Sequence, residues 1–275
     1  MNRVDVYGGD HSPWVQAVLL GLHDARIPHS LTSLPPLETF LKSGVMMPAA
    51  RIDDGPWQLE SADILRNVGF KSITDEQMHL VRGTWQGVTR RTDSAALFWG
   101  GFSLAGDRNP SFVHRGVNNF FRSFVTLYFF LLIRTLVLLV RSDDPENFGN
   151  QFLPFEEMLE ASGAPFLCGQ EPNTLDFELF GVIQCHCSIY VPPVTALQSD
   201  SRLGKLRAWI GNMQERFKDY DHLYSGAYFA PHSGPPTWAS PLQRTVFWLG
   251  AVFMIAIFPV SVPLIAFLAI RNRRS

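Results

Sequence analysis

The residues able to do chemistry fall at a few places in this chain. Ser61 follows Glu60 and reads as a helix start, where a hydroxyl and free main-chain amides offer donors to an anion. Ser12 stands directly before Pro13, again the pattern of a capped helix start with proline at its first position. Met47-Pro48 lies at the entrance of an apolar strand-like run, Val45 to Ile52. Cys185-His186-Cys187 has the look of a metal fragment, but helical neighbours at i and i+2 point to nearly opposite sides. The two thiols are therefore expected to be buried small side chains, and no metal is expected.

These residues need elements to position them. Val4 to Tyr7 is a short β-type run stopped by Gly8-Gly9, and apolar residues at 15, 18, 19, 22 and 25 make a helical stripe ended by Pro28. His29 to Leu34 reads as a second strand and Leu37 to Leu41 as a short helix. The apolar run at 45–52 turns at Asp53-Asp54-Gly55, returns through Trp57 to Leu59, and is followed by a helix from Ala62 to Val68. The order β-α-β-α-β-β-α is that of a thioredoxin-like half-domain.

The rest lacks strand signals. Helices are expected over 74–91, 117–141, 145–161, 174–190 and 202–217, with a loop at 100–109 and a Pro-, Ser- and Gly-rich linker at 226–241. Asn173 and Asp176 should open the fourth of these as cap and first-turn acid.

These residues resemble the glutathione transferase family. Val6 to Val15 is similar to its first strand and helix start, Met47-Pro48 to its cis-proline, and Gln58 to Leu65 to its Glu-Ser turn. Pro165 to Gly169 with Asn173 to Asp176 is similar to the segment at the capping box of its helical domain. The resemblance covers about residues 1–218. It implies an α/β thioredoxin-like domain at 1–71 and an all-α domain at 72–222, followed by a linker at 223–243. It also implies glutathione as co-substrate. The main chain of Met47 beside a cis Pro48 would pair with the tripeptide as a strand does, and Glu60 and Ser61 would hold its γ-glutamyl end. Ser12 would be the catalytic residue, with Tyr7 as the alternative, donating a hydrogen bond that stabilises the thiolate. His11 beside it could tune it, although an exposed loop histidine is the commoner outcome. The stretch 72–150 is longer than the family's usual helix pair.

Thr245 to Ile270 is uncharged, long enough as a helix to cross the roughly 30 Å hydrocarbon core. It is expected to be a transmembrane segment at 244–270, crossing once, with Pro259 and Pro263 leaving a re-entrant hairpin as the competing arrangement. The apolar stretch 120–140 carries Arg122 and Arg134 and is expected to be a helix of the fold whose outer face touches lipid.

Composition bounds the partners. Hydrophobic residues are 46% and charged residues 17%, with 22 phenylalanines and a net charge of −2, so nucleic acid is not expected. Three cysteines form no disulfide framework, and the N-terminus shows no secretory signal, which places the main body on the cytoplasmic side. The expected partners are a small apolar electrophile, membrane lipid and, by the family habit, a second copy. Three functions remain open: an enzyme that conjugates or reduces an apolar electrophile with glutathione, a non-catalytic adaptor at a membrane surface, and a reductase or isomerase of an oxidised lipid that uses glutathione as cofactor.

Overall fold

The computed structural model describes residues 3–89, 94–139 and 147–272. Its first part runs β1 (Val4–Tyr7), α1 (Pro13–Asp24), β2 (His29–Thr32), α2 (Leu37–Ser43), β3 (Ala49–Ile52), β4 (Trp57–Leu59) and α3 (Ser61–Asn67). The sheet order is β2-β1-β3-β4, with β1 and β2 parallel and the other pairs antiparallel. This is the thioredoxin-like half in the expected element order. Alternation along β1 explains its two faces. Val4 and Val6 are fully buried, whereas Asp5 between them accepts from Arg51 at 2.9 Å and Ser30 at 2.8 Å.

The second part is all-helical: α4 (Asp75–Thr89), α5 (Ser94–Leu104), α6 (Phe112–Leu139), α7 (Leu153–Ser162), α8 (Thr174–Ile189), α9 (Pro193–Ser199), α10 (Gly204–Arg216) and α11 (Pro241–Asn272). One apolar core runs through both parts, joining Val6, Val18 and Leu65 to Phe177, Phe180, Trp209 and Phe217. The two halves meet where α1 crosses α8 closely. A Cβ on Gly181 would overlap the Pro13 carbonyl oxygen and lie 2.9 Å from the Ala17 nitrogen.

Five expectations are corrected. The loop expected at 100–109 is helical to Leu104, because Phe98 and Phe102 bury into a second apolar cluster with Cys185, Ile189 and Phe247. Helix α6 begins at Phe112 rather than Val117. Pro192-Pro193 ends α8 but at once opens α9, since proline is pre-organised for a first helical turn. The stretch at 226–241 is no free linker. Phe229 is buried, Gln214 donates to the carbonyls of Phe229 and Ala230, and Gly106 and Ala239 donate to Thr237 and Leu104, each at 2.9 Å. Turn-rich composition marks irregular backbone but not whether its polar groups turn to water or to a neighbouring segment. The helix expected over 145–161 starts only at Leu153, with Pro154 in its first turn, after a 3-10 turn over Phe148–Phe152; Pro145 and the expected helix ends at Arg91 and Arg141 lie outside the described residues.

Helix α11 is one unbroken helix of 32 residues with Pro259 and Pro263 inside it, about 48 Å long at 1.5 Å per residue. The break that a re-entrant hairpin needs is absent from this helix. Only 22% of an 18-residue apolar stretch within Pro241–Leu264 is buried, too little for a core helix, and the helix is long and apolar enough to cross a membrane. Its packed face is Phe247, Gly250, Ala251 and Met254; Leu249, Val252 and Ile255 on the other side are exposed. Trp99 stands between Phe130 and Phe247 while Phe120 meets Phe253, so α6 and α11 run antiparallel. A Cβ at Gly250 would fall on Ser123 Oγ and 2.8 Å from the Phe120 carbonyl oxygen. Gly250→Val should thus separate the two helices at a cost of about 1–3 kcal/mol. Thermal unfolding in detergent would read this as a lowered midpoint, and an unchanged midpoint would deny the close packing.

Candidate functional site

The β3–β4 hairpin assembles the site. Its register pairs Ala49 with Leu59, which brings Pro48 and Glu60, the next residues outward, to the same end of the sheet. The Met47-Pro48 bond is cis, as the resemblance implies. A cleft of about 210 Å³ opens there, lined by Met47, Pro48, Glu60 and Ser61 together with Trp14 of α1 and Arg82 of α4. The four expected binding residues thus converge on one concavity.

Each has a distinct setting. Glu60 holds φ +67°, a left-handed backbone that glutamate rarely adopts and that accompanies functional turns. Its exposed carboxylate lies 3.4 Å from the Arg82 guanidinium, a rim pair of small energy. Ser61 is the first residue of α3 and is nearly buried. Behind it, on α8, lies Glu178, fully buried, with neither carboxyl oxygen in a hydrogen bond of ordinary geometry. Burial pushes this carboxyl up to about 8, opposed by the Ser61 hydroxyl and by Arg82. Glu178 and Arg82 were not among the residues singled out from sequence. No local spacing links α8 or α4 to the Glu60 turn, so only a buried acid in an otherwise apolar helix hinted at the former.

Ser12 is the N-cap residue of α1, partly exposed, and its hydroxyl makes no cap hydrogen bond. It lies outside the lining of the cleft. Met47, in the wall of the cleft, accepts the Gly9 amide with its Sδ at 3.3 Å. Tyr7, the alternative donor, is buried with its hydroxyl 3.5 Å from the Val45 carbonyl, and burial raises it to about 12.

His11 is not an exposed loop residue. It is buried, stacked 5.4 Å from the Tyr224 ring, and its Nε2 lies 3.0 Å from an Arg122 nitrogen. Because the guanidinium only donates, Nε2 accepts and the imidazole is neutral; burial lowers its pKa to about 4. Arg122 also donates to the Ala105 carbonyl at 2.6 Å and to Asn119, and Tyr224 donates to Asp10 at 2.5 Å. Arg122 of the apolar α6 is thereby turned inside the protein, against the first loop of the thioredoxin-like half, with its Nε left without a partner.

Cys185 and Cys187 are buried in two different apolar clusters, on opposite sides of α8. His186 between them stacks on Trp85 at 5.8 Å, and burial lowers its pKa to about 3. Among the described residues there is no group of three His, Cys, Asp or Glu able to hold a metal.

No family model and no curated protein matches the chain. Among solved structures it is similar to the theta class glutathione S-transferase from the citrus canker pathogen Xanthomonas axonopodis pv. citri with glutathione bound. That match has 16% identity, covers 85% of this chain and 100% of that one, and has a TM-score of 0.42. A glutathione S-transferase from Pseudomonas fluorescens is 18% identical over 80% of this chain and 96% of its own, with a TM-score of 0.42. Glutaredoxin 2 from Salmonella typhimurium in complex with glutathione is 16% identical over 83% of this chain and 100% of its own, with a TM-score of 0.43.

Proposed function

We propose that this chain binds glutathione in the cleft at Met47-Pro48 and Glu60-Ser61. It uses the tripeptide as co-substrate to conjugate or reduce a small apolar electrophile, and α11 fixes the protein to the membrane from which that substrate comes. The observation that carries the reading is the convergence of these four residues on one cleft. The main chain beside Pro48 takes the cysteinyl part of an extended peptide, and the Ser61 hydroxyl, with Glu60, takes the γ-glutamyl end. Ser12 donates to the sulfur and stabilises the thiolate; its hydroxyl, unused as a cap, supports that role. The apolar outer faces of α11 and α6 lie against lipid, with the body on the cytoplasmic side.

The full chain in detergent should be retained on immobilised glutathione and released by free glutathione; passage without retention would refute binding. Ser12→Ala should be retained equally yet turn over an electrophile about a hundredfold more slowly, the usual loss for one donor to a developing anion. An unchanged rate removes Ser12 from the mechanism. One observation favours a second reading, a non-catalytic adaptor. Ser12, the residue expected to meet the sulfur, lies outside the lining of the cleft. Retention on glutathione without turnover of any electrophile is the outcome that selects it.

A further inference from the structure

Glu178 is used by none of the steps above, and its setting is unusual. It is a fully buried acid on α8 with both oxygens outside ordinary hydrogen-bond geometry, and it faces the inner side of Ser61. Ser61 in turn lines the cleft. The charged groups that bear on it are Arg82 from α4 and Glu60 from the turn before α3. The Ser61 hydroxyl has one proton to donate. If it gives that proton inward, to a Glu178 carboxylate, no hydroxyl proton is left to offer a ligand carboxylate on the cleft side.

We propose that Glu178 is the positioning residue of this cleft: as the neutral acid it donates to Ser61 Oγ and leaves the Ser61 proton free to point outward at the carboxylate of the ligand. This rests on the glutathione reading of the site. No bond is made or broken; one proton changes the direction of two hydrogen bonds. The electrostatic effect has the same sign, since an ionised Glu178 behind Ser61 would repel the ligand carboxylate while Arg82 and Glu60 stay as they are. Burial holds the acid neutral up to about pH 8. Ligand binding should therefore be intact below that pH and weaken as pH rises through it.

The test is the dissociation constant of S-methylglutathione, which has no thiol to titrate, measured by calorimetry in detergent at pH 7 and pH 9. Wild type and Glu178→Gln are compared, because the ligand's own ammonium titrates identically with both. Glutamine keeps a permanent donor toward Ser61. It also has no proton to lose on unfolding, so the variant should fold at least as stably above pH 5 as the wild type. The ratio of wild-type to variant dissociation constants should rise roughly tenfold between the two pH values, the fall in the fraction of neutral acid. In Ser61→Ala most of that pH dependence should disappear, leaving only the weaker direct repulsion by an ionised Glu178, whereas a merely structural Glu178 would leave all of it in place. A ratio that stays constant, or the full tenfold change persisting in Ser61→Ala, overturns this inference and leaves glutathione binding standing. Absence of binding by the wild type at pH 7 overturns both.

Discussion

Replacing Ser61 by alanine is expected to raise the dissociation constant for glutathione roughly tenfold to a hundredfold while the protein stays folded. A hydrogen bond to a charged group contributes about 1.5–3 kcal/mol, and the Ser61 hydroxyl is the buried donor nearest the expected γ-glutamyl carboxylate. The neighbouring Glu60–Arg82 pair cannot substitute for it, since both side chains are more than half exposed and such pairs contribute about 0–1 kcal/mol. The fold should survive because α3 starts without a side-chain cap bond, so the alanine removes none. Titration calorimetry in detergent gives the constant, and an unchanged unfolding midpoint separates lost binding from lost structure. Equal affinity in the two proteins would remove Ser61 from the site.

Asp176→Ala should have the largest effect on stability. The carboxylate accepts the Asn173 amide at 3.0 Å, the Leu167 amide at 2.8 Å and the indole Nε1–H of Trp209 at 2.8 Å. The Asn173 side chain closes the capping box by accepting the Asp176 amide, and it also accepts the Thr174 and Lys71 amides, each at 2.9 Å, which ties the end of the thioredoxin-like half to the start of α8. Alanine would leave three donors without their acceptor, one on an indole only 1% exposed. Each buried unmet donor costs about 1–3 kcal/mol, so a loss of about 4 kcal/mol is expected, a large share of a domain's total stability. Chemical denaturation of the detergent-solubilised protein should show it. A shift of less than about 1 kcal/mol would mean that water replaces the carboxylate.

Much of the fold was legible because its signals are local. Ser12-Pro13, Asp53-Asp54-Gly55 and Asn173 to Asp176 act within a few residues of themselves, and the β-α-β-α-β-β-α order followed from them. Element ends were read less well. Turn-forming residues at 100–104 and 226–241 suggested loops, and buried partners distant in the chain overrode them: Ile189 against Gly101, Gln214 against the carbonyls of 229 and 230. Of the site, the residues at Pro48 and Glu60 could be joined because one short hairpin separates them. Glu178 could not, since it approaches Ser61 from another helix.

The amino-acid sequence by itself determined the order of strands and helices in the first 70 or so residues, the capped start of α8 and the apolar length of α11. Each depends on hydrogen bonding and side-chain periodicity over a few turns of chain. Tertiary structure alone decided that Arg122 of an apolar helix ends against His11, 111 residues away, that Met47 closes over Gly9, and that α11 packs along α6 through Gly250. Which polar groups meet across such separations depends on where helices cross, and crossing points are set by the fit of whole faces rather than by any short run of residues.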